Sequence, residues 1–211
     1  KMDIVWTTHM RFEKSLLEDQ VWQDAKESGC KYLHFGYESG NERVLKLMDK
    51  ATTTAIMTEH LKRTAEAGIW NHCMGFFGFP GETKEEAWSS VEFLEQNKEH
   101  VHSLGFGTFD LGRHNPVAKH PEKWGVTAYK NPEWDLALDY YYTVKNGMSI
   151  EEAERVFEQF ERNHYSGWDL RLYIREYIFL YIAKFGLGKL RDLQYQSMKT
   201  AGVTHTLAGK M

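Results

Sequence analysis

The chain has 211 residues, with 26 Lys and Arg against 30 Asp and Glu, a net charge of −4 at pH 7 and 14% aromatic residues. The acidic balance argues against nucleic acid as a partner, and the aromatic content favours a packed globule over disorder. The apolar run at residues 177–183 is too short to span a bilayer, which argues against a membrane partner. The length predicts one domain with an appendage. Two cysteines far apart and no signal peptide at the start are typical of a cytoplasmic protein.

Four short apolar runs predict buried strands that begin near residues 4, 32, 70 and 103. A helical pattern or a loop follows each run, and glycines end two of the helical stretches. This alternation predicts successive βα units, with parallel strands in the order 1-2-3-4 and the helices on one convex side. The expected fold class is α/β, a parallel sheet or a partial (β/α) barrel, because a complete barrel needs about 250 residues.

The third unit, residues 69–86, carries the most distinctive loop of the chain. Its apolar run breaks at Gly78-Phe-Pro-Gly81, and Thr83 and Glu86 then have the spacing of a capping box that begins a helix. In parallel α/β proteins such a loop lies at the carboxyl end of the strand, where ligands bind. The alternative is that the glycines and the proline only turn the chain.

The pattern changes beyond Leu111. Residues 113–132 are rich in turn signals and predict an ordered loop, and the remainder predicts helices, one of which begins at a second capping box formed by Ser149 and Glu152. The last helix has apolar residues that we expect in the core: Leu170, Tyr173, Ile174, Tyr177, Ile178, Tyr181, Ile182 and Phe185. The predicted domains are therefore residues 1–130, which hold the sheet, and residues 131–211, a helical C-terminal region.

Polar residues that directly follow the predicted strands are the candidate ligand-binding residues, because the carboxyl ends of parallel strands share one edge of the sheet. Glu38 could accept hydrogen bonds from ribose hydroxyls or an ammonium group, and Arg11 could bind a carboxylate. Two alternatives stay open, namely that Glu38 and Ser39 cap the next helix and that Arg11 pairs with a surface acid. The candidates form four groups: His9 and Arg11; Glu38, Ser39 and Asn41; Met74 to Pro80; and Thr108, Asp110 and Arg113.

Three segments resemble the radical S-adenosylmethionine superfamily, in the order in which that family has them. Residues 28–50, SGCKYLHFGYESGNERVLKLMDK, resemble the region of its fourth barrel strand. AGIW at residues 67–70 and GFFGFPGET at residues 75–83 look like its fifth strand and the loop that follows. FDLGRHNPV at residues 109–117, with PEKWGV at residues 121–126, resembles the sixth-strand region of the branch that also carries a cobalamin-binding domain.

The resemblance covers residues 3–126 and implies the third to sixth strands of a radical S-adenosylmethionine (radical SAM) barrel. It implies an enzyme, a methyltransferase or oxidoreductase, with a small-molecule or peptide substrate. The implied cofactors are S-adenosylmethionine, a [4Fe–4S] cluster and cobalamin. The family binds its cluster through CxxxCxxC after the first strand, and this chain has no such motif. Cys30 and Cys73 are expected to be packing residues, so the chain alone should be inactive.

Carried over position by position, the resemblance places Glu38 and Ser39 at the ribose or methionyl part of S-adenosylmethionine, and Arg11 near the methionyl carboxylate or the substrate. Met74 to Gly78 would form the wall on the adenine side, and residues of the sixth strand would close the pocket. Neither a catalytic residue nor a metal ligand is assigned in this chain. The implied cofactor-binding residues are Arg11, Glu38, Ser39, Met74, Phe76, Gly78, Thr108 and Asp110.

The start Lys1-Met2-Asp3, directly before a strand, leads us to expect a part of a longer polypeptide. Such a part leaves the edge of its first strand, residues 4–8, without a neighbour. The expected partner is the remainder of the same barrel or a second copy of the chain.

Two other functions stay open. A metal-dependent hydrolase is suggested by ten histidines, among them His100, His102, His114 and His120, although the first two precede the fourth strand, at the opposite end from the candidate site. Residues 133–211 could instead form a non-catalytic helical interaction module. Stoichiometric metal binding without a cluster would favour the hydrolase, and association with a chain that carries CxxxCxxC would favour the module.

Overall fold

The fold comes from a computed structural model that describes residues 4–129, 138–163 and 175–200. The first three residues, Pro132 and the predicted core residues Leu170, Tyr173 and Ile174 lie outside these ranges. Within them, no helix is long and apolar enough to cross a membrane.

The centre of the fold is a four-stranded parallel sheet with the order β1-β2-β3-β4. The predicted pairing and order are therefore confirmed. The first strand begins two residues later than predicted, and the second extends further in both directions. The strands are β1 (Trp6–Met10), β2 (Cys30–Glu38), β3 (Trp70–Phe77) and β4 (Ser103–Thr108).

Helices after the first three strands pack on one face of this sheet, which we call the outer face. They are α1 (Asp19–Glu27), α2 (Glu42–Leu47), α3 (Thr54–Glu66) and α4 (Lys84–Gln96). Because successive strand residues face opposite sides, alternate residues such as Leu33, Phe35 and Cys73 form the main core with Leu61 and Leu94 of the helices. The capping box of Thr83 and Glu86 is confirmed at the start of α4.

A small antiparallel sheet follows the main one. Its strands β5 (Leu111–Gly112), β6 (Val126–Tyr129) and β7 (Asp139–Val144) have the order β5-β7-β6, and α5 (Pro116–Lys119) lies between the first two. The expectations of a loop up to residue 132 and of helices thereafter are therefore wrong at β6 and β7. A short strand of this kind depends on a pairing partner more than ten residues away, and no local pattern shows that partner. The predicted domain boundary at residues 130 and 131 falls between these two paired strands.

The next helix, α6 (Ile150–Asn163), completes the outer layer. The second capping box is confirmed, since Ser149 and Glu152 each accept a hydrogen bond from the other's backbone N–H. Val156 and Phe160 of α6 belong to the main core. The helix therefore covers β3 and β4 on the same side as α4.

The opposite, inner face of the main sheet is covered near the amino-terminal ends of its strands by α7 (Arg175–Phe185) and α8 (Leu187–Thr200). Ile178, Ile182 and Leu190 of these helices pack against Tyr32 and Trp70 of the sheet. The prediction that helices lie on one side only is therefore wrong. A parallel sheet carries apolar side chains on both faces, and α7 and α8 bury the second one.

The predicted core residues of α7 divide between its two faces. Ile178 and Ile182 are buried, whereas Tyr177 and Phe185 are 55% and 52% exposed. The helical spacing identified the helix but could not show which stripe of a largely apolar helix faces the sheet.

Strand β1 is an edge strand, which within the described residues pairs with β2 alone. Ile4 and Val5, directly before it, are 50% and 39% exposed. A partner for this edge stays a prediction.

Replacing Ile182 by alanine tests whether α7 covers the inner face. We expect Ile182→Ala to lower the free energy of unfolding by about 2–4 kcal/mol, because it removes buried methyl groups that contact the sheet. Leu180→Ala, on the same helix at a site that is 58% exposed, should cost less than about 0.5 kcal/mol. Urea unfolding followed by circular dichroism measures both, and equal effects would contradict the arrangement.

Candidate functional site

The carboxyl ends of the four parallel strands form one edge of the sheet, and its two halves differ. Over β3 and β4, the rings of Phe76, Phe79, Phe109 and Tyr142 pack together with centroids 5.3–6.4 Å apart. The Tyr142 hydroxyl donates a hydrogen bond to the Phe109 carbonyl at 2.9 Å. The small antiparallel sheet thus covers this half of the edge.

The Gly-Phe-Pro-Gly loop after β3 contains a type II turn. The N–H of Glu82 donates to the carbonyl of Phe79 at 2.8 Å, with Pro80 and Gly81 in the two central positions. Gly81 has a φ of 92°, which this turn requires at its third position and which glycine adopts without steric cost. The type II turn therefore explains why proline and glycine stand next to each other in this loop.

Two helices hold this turn in place. Arg43 of α2 donates to the Gly81 carbonyl at 2.6 Å and forms a bidentate pair with Glu86 of α4. On the other side, a Cβ added to Gly78 would lie 2.5 Å from the Cβ of Ala153 in α6, so the loop backbone touches that helix. Gly78 is buried by this contact rather than open to a cavity.

Glu82 is a fully buried carboxyl group inside the loop. The N–H of Gly78 donates to its Oε2 at 2.6 Å. Burial raises the pKa of Glu82 to about 7, against the effect of hydrogen bonds from the Gly78 and Phe79 backbone. This side chain therefore changes its charge close to neutral pH.

The half of the edge over β1 and β2 is open, and Glu38 is its central residue. Glu38 has a φ of 61° and follows a register shift in the pairing of β2 with β3. A left-handed conformation costs a non-glycine residue about 1–2 kcal/mol, and such strain is concentrated at functional sites. The carboxylate folds over Gly36, where an added Cβ would lie 3.0 Å from Glu38 Oε1.

Lys50 is the partner of Glu38, with 3.0 Å between its Nζ and Glu38 Oε1. A Schellman motif at the end of α2 positions it, since the N–H of Lys50 donates to the Leu45 carbonyl and the N–H of Asp49 to the Lys46 carbonyl. Asp49 has the left-handed φ of 56° that this motif needs. The geometry of the ion pair thus depends on two left-handed residues, Glu38 itself and Asp49, which directly precedes Lys50.

A cavity of about 350 Å³ lies beside this pair. Its size is within the range of small-molecule pockets, which is about 300–1,000 Å³. One wall contains Arg11, and the other contains Lys50 and Thr52. The cavity therefore combines two carboxylates, Glu13 and Glu38, with three cations, Arg11, Lys14 and Lys50, at the carboxyl ends of β1 and β2. The complete lining is Arg11, Phe12, Glu13, Lys14, Ser15, Gly36, Glu38, Lys50, Ala51 and Thr52.

Of the predicted site residues, the structure brings together Arg11 and Glu38. Lys50 was missed, because its distance of twelve residues from Glu38 shows no pattern. A lysine close to the end of the helical stretch that follows the second strand was the signal that could have found it.

Ser39 does not line this cavity. It is fully buried, with its Oγ 2.9 Å from Ser90 Oγ of α4. The N-cap of α2 is Asn41, whose side chain accepts hydrogen bonds from the N–H groups of Arg43 and Val44. The alternative that Glu38 and Ser39 cap this helix is therefore wrong.

The predicted residues of β3 and β4 also lie apart from the cavity. Met74 and Phe76 are on the inner face, whereas Thr108 pairs in register with Phe77, whose side chain faces the outer core. Asp110 is exposed over most of its surface, and partial desolvation of its carboxyl together with the charge of Asp139 raises its pKa. Their roles toward a cofactor stay predictions.

The histidines proposed for a hydrolase do not form a site. His102 is buried before β4, where its Nδ1 accepts a hydrogen bond from the Asn71 N–H at 2.8 Å, and burial lowers its pKa to about 3. His114 and His120 are exposed. Across residues 4–129, 138–163 and 175–200, no three His, Cys, Asp or Glu side chains have the geometry of a metal site.

A row of histidines on the inner face was missed by sequence reasoning. His9, His34 and His72 are in register on three neighbouring strands, with ring centroids 4.4 and 5.5 Å apart. His72 Nδ1 lies 2.8 Å from Ser103 Oγ, which continues the row to β4. Only the register of the strands places these residues side by side.

The two cysteines do not fit an iron–sulfur cluster. Cys30 and Cys73 are free, and they are 1% and 0% exposed within the main core. Burial raises the pKa of the Cys30 thiol to about 11, and it also raises the pKa of Cys73. The thiolate is the form that binds iron, and both sites disfavour it.

Comparison with known proteins gives a family match over the segment that contains this cavity. Residues 4–94, which contain Arg11, Glu38 and Lys50, match the family model of the Radical SAM superfamily. The chain is 32% identical over 97 residues to an uncharacterized methyltransferase of Pyrococcus horikoshii, a match that covers 45% of this chain and 20% of the relative. The chain therefore spans about a fifth of that relative's length. The resemblance to the radical SAM superfamily is confirmed.

Solved structures show the same fold. A cobalamin-dependent S-adenosylmethionine radical enzyme with aqua-cobalamin bound aligns with a TM-score of 0.55 at 12% identity, over 97% of this chain and 39% of that one. A radical S-adenosylmethionine methyltransferase from Kitasatospora setae, with cobalamin and a [4Fe–4S] cluster bound, aligns with a TM-score of 0.50 at 16% identity, over 72% and 30%. The predicted partial barrel is thereby confirmed.

The buried carboxyl of Glu82 predicts a pH dependence of stability. Its pKa in the folded chain is above the ordinary value of 4.5, so its contribution is fully present below about pH 4.5 and is lost as the pH rises through about 7. The loss amounts to roughly 3 kcal/mol at most. Thermal unfolding between pH 4.5 and 8 should show this decline in the native chain and a smaller one in Glu82→Gln. The exposed control Glu85→Gln should behave like the native chain, and a decline of the same size in Glu82→Gln would contradict the assignment.

Proposed function

We propose that this chain, whose residues 4–94 match the radical SAM superfamily, is part of a cobalamin-dependent methyltransferase and binds S-adenosylmethionine in the cavity between β1 and β2. The observation that carries the proposal is the Glu38–Lys50 pair, which meets Arg11 around this cavity. The pair lies at the carboxyl edge of a parallel sheet, where such folds bind their ligands.

The charges around the cavity suit the polar groups of S-adenosylmethionine. Its methionyl carboxylate needs cationic partners, which Lys50 and Arg11 provide. Its α-ammonium group and ribose hydroxyls need an acceptor, which the Glu38 carboxylate provides. The proposal thus gives Arg11, Glu38 and Lys50, three of the five charged side chains that line the cavity, a role in binding and orienting the ligand.

The Glu38–Lys50 contact prepares this site before the ligand arrives. The two side chains neutralise each other at 3.0 Å, so neither charge faces the cavity without a partner. The amino-acid end of S-adenosylmethionine carries both a carboxylate and an ammonium group, so it can join this pair without adding net charge to the pair. The sulfonium is the one further charge of that ligand.

The reaction class follows from the named relatives. The relative from Pyrococcus horikoshii is a methyltransferase by name, and the two solved structures bind cobalamin. When bound, S-adenosylmethionine supplies the methyl group or the adenosyl group of such reactions. The residues of this chain would hold and orient it, and since its two cysteines do not fit a cluster, no electron-transfer step is assigned to them.

Titration with S-adenosylmethionine tests the proposed site. We expect isothermal titration calorimetry to show binding by the native chain, and a loss of about tenfold in affinity for Glu38→Gln and for Lys50→Met. Each change removes one charge-assisted hydrogen bond to the ligand.

Lys46→Met is the matched control, because Lys46 is an exposed lysine of the neighbouring helix turn that does not line the cavity. It should bind like the native chain. The proposal fails if the native chain does not bind, or if all three variants bind equally well.

Reconstitution with iron and sulfide under anaerobic conditions tests the prediction that Cys30 and Cys73 do not bind an iron–sulfur cluster. We expect no stoichiometric [4Fe–4S] absorption from this chain, because such clusters are held by several thiolates and both thiols here are buried. The double variant Cys30→Ser with Cys73→Ala should give the same spectrum. One cluster per native chain that is lost in the double variant would overturn this assignment.

A further inference from the structure

We propose that helix α3 sets the width of the cavity between Arg11 and Lys50, and that His60 is the positioning residue through which it does so. This inference rests on the proposed function for the identity of the ligand. It concerns residues that do not line the cavity and that no sequence motif marked.

The amino-terminal end of helix α3 adjoins the wall of the cavity that contains Lys50 and Thr52. Ala51 and Thr52 line the cavity, and Thr53 is the N-cap of α3, whose side chain accepts a hydrogen bond from the Ile56 N–H. Glu42 of α2 accepts two hydrogen bonds from Thr54, from its N–H at 2.7 Å and from its hydroxyl at 2.6 Å. This wall is therefore attached to the first turn of α3.

Residues 11–15 form the opposite wall, and α3 holds the segment of residues 11–17, which contains this wall, by two side chains. His60 Nε2 lies 2.9 Å from the carbonyl oxygen of Glu13, and Arg63 donates to the carbonyl of Leu17 at 2.5 Å. Residues three apart lie on the same face of a helix, so both contacts come from one side of α3. The two walls are thus joined through one rigid element.

The surroundings of His60 make its contact directional. The side chain is fully buried, with the rings of Phe12, Trp22 and Phe35 at centroid distances of 5.7, 5.6 and 6.3 Å. Because a carbonyl oxygen can only accept, Nε2 must carry the proton. Burial also lowers the pKa of His60, and the neutral ring then donates at this one nitrogen.

Phe12 links the hydrogen bond between His60 and Glu13 to the position of Arg11 in the cavity. It is buried and stacks on Phe35 at 4.5 Å, and it directly follows Arg11 in the chain. A displacement of residues 12 and 13 would therefore move Arg11 with them. His60 acts on the ligand through this backbone and does not contact it.

Three variants separate a positioning role from general packing. His60→Gln places an amide N–H near the position of Nε2 and should keep the hydrogen bond to Glu13. His60→Asn is also polar but too short to reach the carbonyl. Thr64→Val is the control, since Thr64 is fully buried on the same helix and its hydroxyl donates to the His60 and Leu61 carbonyls within α3.

Amide hydrogen exchange of Leu16 and Leu17 is the first readout, because their N–H groups bond within the segment, to the carbonyls of Glu13 and Lys14. We expect exchange about tenfold faster in His60→Asn, and close to native in His60→Gln and in Thr64→Val. Equal exchange in His60→Asn and His60→Gln, or an equal increase in Thr64→Val, would overturn the inference. This readout needs no ligand and is independent of the proposed function.

Affinity for S-adenosylmethionine is the second readout. We expect about tenfold weaker binding by His60→Asn and near-native binding by His60→Gln. Native affinity in His60→Asn despite faster exchange would overturn the link to the cavity. A native chain that does not bind at all contradicts the proposed function, while the exchange result still decides whether α3 holds the segment.

Discussion

A parallel sheet has to be buried on both faces, and this requirement determines most of the structure. Helices α1, α3, α4 and α6 cover the outer face, and α7 and α8 cover the inner face near the amino-terminal ends of the strands through Ile178, Ile182 and Leu190. Polar side chains are then left to collect at the strand ends. The candidate site lies at the carboxyl edge, because α7 and α8 cover the inner face only near the amino-terminal ends of the strands.

Backbone strain is concentrated at the part of this edge where we propose that the ligand binds. Glu38 and Asp49 have φ values of 61° and 56°, conformations that cost a non-glycine residue about 1–2 kcal/mol each. The first directs a carboxylate over Gly36, and the second completes the helix end that presents Lys50. Two strained residues thus serve one ion pair, and such strain is concentrated at functional sites.

The segment that carries Arg11 is held by helix α3 of the outer layer, through His60 and Arg63. The geometry of the candidate site therefore depends on the packing of this layer. This chain spans about a fifth of its methyltransferase relative, and the candidate site and the residues that support it lie within it. Under the proposed function, these residues would hold and orient the cofactor rather than act as acids or bases.

The sequence by itself determined the strand order, both capping boxes, the tight loop at residues 78–81 and two residues of the cavity, Arg11 and Glu38. Each of these follows from a pattern within a few residues, such as an apolar run, a cap spacing or a proline followed by glycine. Tertiary structure alone decided that Lys50 meets Glu38, that Ser39 turns toward Ser90, and that His9, His34 and His72 form a row. It also decided the small antiparallel sheet and the inner position of α7 and α8. These features join residues from 12 to more than 100 positions apart, and such contacts depend on how elements pack, which no local pattern records.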